Sequence, residues 1–453
     1  MQTTSTRKGL SVSDSRALCQ TILGFARADH TRVNIDSGVR GFTRTAVNRV
    51  TTAGATDNVN IRITSVFGKQ VASIDTNRLD GVSLERAVRD AEALARLSPE
   101  NPEYLPELGA QSFSTIDAYY ASTGDLTTES RARAASLAVA AANTARLMAS
   151  GFIDVSAGSS AVATSNGLFG HHAGTGVAST LTIRTLDGAS SGWAGDEGAD
   201  WTTIESDRIA ETAVRKCLQW RGTTTIEPGQ YDVVLEPTAV GMLMRGFLGS
   251  FDARQADEGR SFLSKPNGGT RLGEKLFDER ITIVSDPGEK NAETSPFTGA
   301  GIPVQREVWV DKGVLRSLSY SRFWADRKGV APKPGGSNFL MSGGTATLDD
   351  MIRETKRGVL ITRFWYIRGV NPRIASFTGL TRDGTFLIEN GRIARPVTNF
   401  RFNQSLSALL ANVQMLGAPV RVCASENSSV GSPVVVPALK VKDFTLSSIS
   451  EAI

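Results

Sequence analysis

Helical periodicity is concentrated in the first half of this chain and is nearly absent beyond residue 255, and that asymmetry limits the folds open to it. Leu18, Ile22, Phe25 and Ala26 recur at helical spacing behind a cap-like Ser13-Asp14. Leu84, Val88, Ala91 and Ala95 do the same behind Ser83, with Pro99 and Pro102 to stop them. The Ala-rich stretch from Thr127 to Ser150 reads as one long helix. Ser206 opens another, whose inner face is Ile209, Ala210, Ala213, Val214, Cys217 and Leu218. Between these helices the period drops to two. Val59, Ile61 and Ile63 alternate with Asn60, Arg62 and Thr64, a turn at Gly68-Lys69 returns the chain through Val71 and Ile74, and Asp187-Gly188 marks a further turn after Leu181 and Ile183.

In the second half, short strands are punctuated by turns at Lys312-Gly313, Asp383-Gly384 and Asn390-Gly391, which predicts a mostly antiparallel β region. One helix, Leu348 to Arg357, interrupts it, and Gly-rich stretches at 332–339 and 341–350 read as loops. The stretch "VVLEPTAVGMLMRGFLGSFDARQ" (233–255) reads as a strand, a turn and then a helix. Gly241, Met242, Leu243, Met244, Phe247, Leu248 and Phe251 make that helix apolar nearly all round, as burial inside a domain requires. The expected fold class is α+β: an N-terminal mixed α/β domain over 1–225, then a C-terminal β-rich domain with a buried helix over 226–453. The boundary falls where "RGTTTIEPGQ" (221–230) breaks the helical pattern.

Composition removes several function classes. Fifty basic against 46 acidic side chains leave a net charge of +4. The densest basic clusters are only Asp326-Arg327-Lys328 and Thr355-Lys356-Arg357, so neither nucleic acid nor an anionic membrane is an expected partner. Cys19, Cys217 and Cys423 form no CxxC pair, which fits a reducing compartment, and Cys19 and Cys217 fall on apolar helix faces as packing residues. No apolar run approaches the ~18 residues a membrane span needs, and "MQTTSTRKGLSVSDS" lacks an apolar core of the signal-peptide kind, so a cytoplasmic location is expected.

Candidate chemistry is sparse. His30 reads as the end of the first helix beside Asp29, where the helix dipole favours a cation. His171 and His172 read as part of a Gly-rich turn, and neighbours on extended chain point to opposite faces and cannot share one ion. There is no G-x-S-x-G and no P-loop. Asp252, Asp257 and Glu258 follow the 233–255 stretch and are the carboxylates nearest to it in sequence.

Four stretches, "NRVTTAG" (48–54), "VNIRITSVFGKQVASIDTNRLDGVSLERAVRDAEALARLSPENPEY" (59–104), "GVLRSLSYSRFWA" (313–325) and "GTFLIENGRIARPV" (384–397), occur in an order and at spacings that resemble the TldD/PmbA (TldE) metallopeptidase family. Members of the TldD type carry HExxxH and, much later, a cysteine. Imidazoles and a thiolate hold zinc, water takes the fourth site and the glutamate is the general base. The resemblance puts Arg245, Gly246 and Ser250 at the positions of the first histidine, the glutamate and the second histidine, and Cys423 at the cysteine. None of the first three can do the corresponding job. The resemblance therefore implies a TldE-like pseudoenzyme subunit with no catalytic residue and no cofactor of its own, Cys423 being the one remnant ligand candidate. It implies a TldD-type catalytic subunit that carries the zinc, in a heterodimer, with a homodimer as the other assembly. The implied substrate is unfolded peptide, held in a cavity between subunits by residues the sequence does not identify. Aromatic residues at 321–326 and 363–372 are candidates to line a cavity or an interface. The alternative is an active peptidase or hydrolase with a rearranged site, built from Cys423 with His171 or His172, or from a carboxylate cluster.

Overall fold

Strands β1 (His30–Ala46) and β2 (Arg49–Phe67) form a long antiparallel hairpin, and β3 (Gln70–Thr76) returns along β2 through the turn at Gly68. The computed structural model, which describes residues 8–424 and 430–450, adds β4 (Met148–Thr164), β5 (Phe169–Arg184) and β6 (Ser191–Gly198) to give an antiparallel sheet of order β3-β2-β1-β4-β5-β6. Register places Val33 beside both Ile63 and Ala163, and Val155 beside Val177, so these side chains share one face. Helices α1 (Val12–Phe25) and α2 (Gly81–Leu97) cover one part of that face. The short α3 (Ala121–Gly124) leads into α4 (Thr128–Thr144), and α4 and α5 (Ser206–Gln219) cover the rest. The opposite face carries the alternate residues, among them Asn34, Asp36, Asp154, Ser160 and Glu197. It is the polar floor on which the second half of the chain sits.

Two sheets build that second half. One runs, in spatial order, Val314–Leu315, Glu307–Asp311, Ile283–Ser285, Phe339–Met341, Val434–Val436 and Val420–Arg421. The other has nine strands. Its path is Phe364–Asn371, Ser376–Thr381, Asn399–Ser405, Leu439–Ser450, β7 (Gly229–Leu235), Arg357–Ile361, Thr385–Glu389 and Arg392–Pro396, with Val413–Leu416 beside Leu439–Ser450. Pairing is mostly antiparallel, with parallel exceptions at β7 and at Phe339–Met341. The observed class is α+β. Phe247, Phe251, Phe262, Phe277 and Trp309 form the aromatic centre of the larger core. Trp220, at the end of α5, donates its indole N–H to the carbonyls of Thr385 and Val397 and so ties the first half to the nine-stranded sheet.

Several local expectations shift. The Ala-rich helix stops at Thr144, because Arg146 must take a left-handed conformation (φ 56) before β4 begins at Met148. α1 is capped by Ser11, and α2 by Asp80, whose carboxylate accepts from the Ser83 backbone. α1 ends at Phe25, so His30 opens β1 rather than closing a helix. His171 and His172 lie inside β5, paired with Ala161 and Ser160, not in a turn. The Leu348 helix closes at Arg353, since Arg357 begins a strand. Leu218 is 41% exposed and falls outside the inner face of α5, whereas Cys19 and Cys217 are buried as expected. No helix among the described residues is long and apolar enough to cross a membrane.

Candidate functional site

The 233–255 stretch resolves into four pieces. β7 ends at Leu235, α6 (Pro237–Met244) follows, a 3-10 turn spans Leu248–Ser250, and α7 (Ala253–Asp257) closes the run. Pro237 at the first helical position starts α6. It stops at Met244 instead of running through to Phe251, and Gly246 and Gly249 lie exposed in the turns that follow. Ala239 to Met244 are buried, and Phe247 and Phe251 re-enter the core, so the expected buried helix exists in a shorter form.

Arg245 caps the end of α6 and its side chain leaves the core. Nη1 donates to the Ala424 carbonyl at 3.2 Å, beside Cys423. Nη2 lies so close to Gly431 that a Cβ there would sit 2.8 Å away. Arg245 and Ala424, 179 positions apart in sequence, thus meet, and Cys423 is the residue next to that contact. Cys423 is 1% exposed and forms no disulfide. The residue types at the motif positions do not fit zinc: a guanidinium offers no lone pair, Gly246 offers no side chain and Ser250 only a hydroxyl. Among the described residues no three His, Cys, Asp or Glu side chains gather as a metal-holding set.

The other candidates have structural partners. Asp252 caps α7 by accepting from the Gln255 backbone, Asp257 accepts from the Trp324 indole and pairs with Lys328, and Glu258 is held by Arg254 and Arg260. His171 Nε2 contacts the Leu10 carbonyl on the helix-covered face, while His172 shares the polar face with Ser160. Burial lowers the His172 pKa, and His171 adds to the effect.

A cleft lies between the polar floor of the first sheet and the loops of the second half. A cavity of about 540 Å³ is lined by Thr175, Gly176, Gly198, Glu293, Arg421 and Gly431, among others. It continues past Ser295 and Phe297 into a space of about 520 Å³ over Arg32, Asp36 and Arg62. At its other end lies a pocket of about 190 Å³ bounded by Tyr120, Asp196, Glu197, Asp200, Glu293 and Arg421. β6 brings Asp196 and Glu197 to this end, and the Val420–Arg421 strand brings the cation. Arg421 approaches Glu197 at 3.6 Å and also donates to the Asn291 carbonyl. Burial pushes the Glu197 carboxyl up to about 7, against the pull of Arg421, Arg245 and the Gly431 N–H. Burial also raises Asp196, against Arg208 and Arg421 among others. The Tyr120 hydroxyl donates to Glu293 at 2.8 Å, which with its burial drives the phenol to about 12. Motif reading missed this cluster. Its members come from four separate segments with no spacing in common, and only the tertiary fold brings them together.

A family profile described as the PmbA/TldA metallopeptidase C-terminal domain matches residues 228–448. A metalloprotease of Methanothermobacter thermautotrophicus is 27% identical over 225 residues, 45% of this chain and 47% of that protein. A metalloprotease TldD homologue of Haemophilus influenzae is 27% identical over 284 residues, 57% of this chain and 58% of that one. The chain spans about half the length of these curated relatives. Among solved structures, TldE from Thermococcus kodakarensis superposes with a TM-score of 0.81 at 16% identity, covering 96% of this chain and 99% of that one. A Thermotoga maritima protein described as a proposed modulator of a DNA gyrase gives 0.82 at 18% identity, covering 95% and 100%. At those identities the likeness shows the fold alone. Fold and sequence matches together define a metallopeptidase-like protein. Residues 228–448 match the family's C-terminal domain, and the chain as a whole shares the fold of its solved members.

Proposed function

We propose that this chain is a TldE-like, non-catalytic subunit of a TldD/TldE-type metallopeptidase complex that acts on unfolded peptides in the cytoplasm, its zinc-bearing partner supplying the chemistry. The observation that carries this reading is the Arg245 guanidinium held on the Ala424 carbonyl, one residue from Cys423, with Gly246 and Ser250 following it in the stretch that the resemblance aligns with the zinc motif. A fixed cation there opposes metal entry, and Gly246 cannot act as a general base. The cleft fits the accompanying role. Its walls include Gly176, Gly198, Gly335 and Gly431, so little side-chain bulk stands in the way of an extended peptide. The test is to purify the chain alone and together with a TldD-type subunit, and to follow cleavage of an unfolded peptide. We expect no cleavage by the chain alone and chelator-sensitive cleavage by the pair. Robust chelator-sensitive cleavage by the chain alone overturns the reading.

A further inference from the structure

The outer half of β2 is paired on one side only. β1 runs along its whole length, but β3 pairs with it only from Ile61 to Phe67, so Arg49 to Asn60 present an open edge about 40 Å long. Thr51 to Ala53 and Ala55 to Asn58 are exposed, and among the described residues no backbone bridge from another segment reaches this stretch. A register shift at Arg44/Thr45 leaves Thr51 without a partner on β1, so the regular part of the edge is Thr52–Asn60. Native sheets blunt such an edge with lysine, proline or a covering element, because its unpaired N–H and C=O groups are a template for another strand. From Val50 to Thr56 the sequence V-T-T-A-G-A-T has no charge and no proline. The cavities of the cleft touch β2 only at its inner end, at Asn60 and Arg62, so a peptide held there does not run along this edge.

We propose that the open edge of β2 pairs with the same edge of a second copy of this chain, antiparallel and about a two-fold axis at Gly54. Antiparallel pairing of a strand with itself is the arrangement a two-fold axis generates, each patch meeting its own copy. Centred on Gly54, it sets Thr52 opposite Thr56 on one face of the sheet and Ala53 opposite Ala55 on the other, small side chains that meet without conflict. It also brings the Arg49 end of each copy to the Asp57 end of the other, so the two charges that flank the neutral stretch attract. Phe42 supplies the apolar contact. Its ring lies over Gly54 on the polar-floor face, so close that a Cβ there would sit 3.1 Å away, and it stacks on Phe152 at 6.1 Å. Both rings are half-buried. The axis extends the Phe152–Phe42 row into its copy across a pair of glycines that place no side chain between the rings. A foreign strand would satisfy the backbone alone, whereas these side-chain pairs select the strand's own copy.

The experiment is sedimentation equilibrium of the full chain across a concentration series. A reversible equilibrium between one and two chains is expected. Ala53→Glu combined with Ala55→Glu, both at exposed positions, opposes two pairs of like charges across the axis and should weaken the dimer by about tenfold or more, with an unchanged circular dichroism spectrum as the check on folding. Arg49→Asp should also weaken it, and adding Asp57→Arg should restore it, a rescue that a folding defect would not show. A chain that stays single at every concentration overturns the proposal. So does a dimer that the two glutamates leave intact, which places the interface elsewhere, and a charge swap that restores nothing overturns the pairing about Gly54. None of these outcomes bears on the assignment of the chain as non-catalytic, which the cleavage assay tests separately.

Discussion

Strand β6 carries two buried carboxylate sites across the same seam, and they differ in how completely each is partnered. At one end Ser191 Oγ donates to Asp383 at 2.7 Å while Arg363 Nη1 donates to the other oxygen at 2.7 Å. Arg363 also stacks over Trp193 at 4.4 Å. Asp383 and Arg363 are 1% and 5% exposed. At the other end Glu197 is as deeply buried but has a cation only at 3.6 Å and a cavity alongside. A charge inside a protein costs several kcal/mol to desolvate unless hydrogen bonds surround it. Both Asp383 oxygens are engaged, so this end is a lock between the halves, with Arg363 Nε the one buried atom of the pair that has no hydrogen-bond partner. The Glu197 end is held more loosely, by Arg421 at 3.6 Å and the Gly431 N–H, and burial raises its carboxyl.

The largest effect should come from breaking the lock. Asp383→Ala strands the Arg363 guanidinium and should cost about 3–5 kcal/mol in chemical unfolding, whereas Asp383→Asn keeps the Ser191 contact and should cost less. The Glu197 end should respond in the opposite sense. Its pKa rises from 4.5 to about 7 on folding, so the folded state holds the proton more tightly. Stability is then highest below the unfolded value and falls as pH rises from 4.5 through 7. Glu197→Gln should accordingly raise the unfolding free energy by about 2 kcal/mol at pH 8.5 and change it little at pH 4.5, read from paired denaturant titrations. A destabilised Glu197→Gln at pH 8.5 would mean that both ends of β6 are locks.

The smallest effect is expected where an ion pair faces water. Arg62 and Asp75 make a two-point contact on β2 and β3, at 2.9 and 2.8 Å, but both are about half exposed. Arg62→Ala should leave the melting temperature unchanged within error and its response to added salt flat. A clear loss would show that distance alone, rather than burial, sets the worth of the seam pairs.

Much of the fold was legible because period and turn chemistry are local. β2 and β3, the inner faces of α2 and α5, and the left-handed turn positions at Lys312, Asp383 and Asn390 all follow from neighbouring residues. Local propensity misleads where tertiary structure takes over. The Ala-rich run from Thr127 continues to favour helix past Thr144, but Met148 is claimed by the sheet. The helix after Pro237 looks continuous to Phe251 by hydrophobic spacing, yet it stops at Met244, where the exposed Gly246 and Gly249 disfavour its continuation. The resemblance singled out Arg245 and Cys423, and the structure bonds Arg245 to the Ala424 carbonyl beside Cys423. Family motif positions gave no hint of Glu197, Arg421, Glu293 and Tyr120, which share no spacing and meet only because β6 pairs with β5 and the 420–421 strand docks beneath it.

The central claim is that Arg245, Gly246 and Ser250 leave this chain without a metal of its own. Zinc content per chain, measured by elemental mass spectrometry on the chain purified alone, exposed to zinc and then freed of loosely bound ions, tests it most directly. The account predicts a value near zero. A value near one per chain, lost on Cys423→Ser, would contradict it and make the chain a metallopeptidase in its own right.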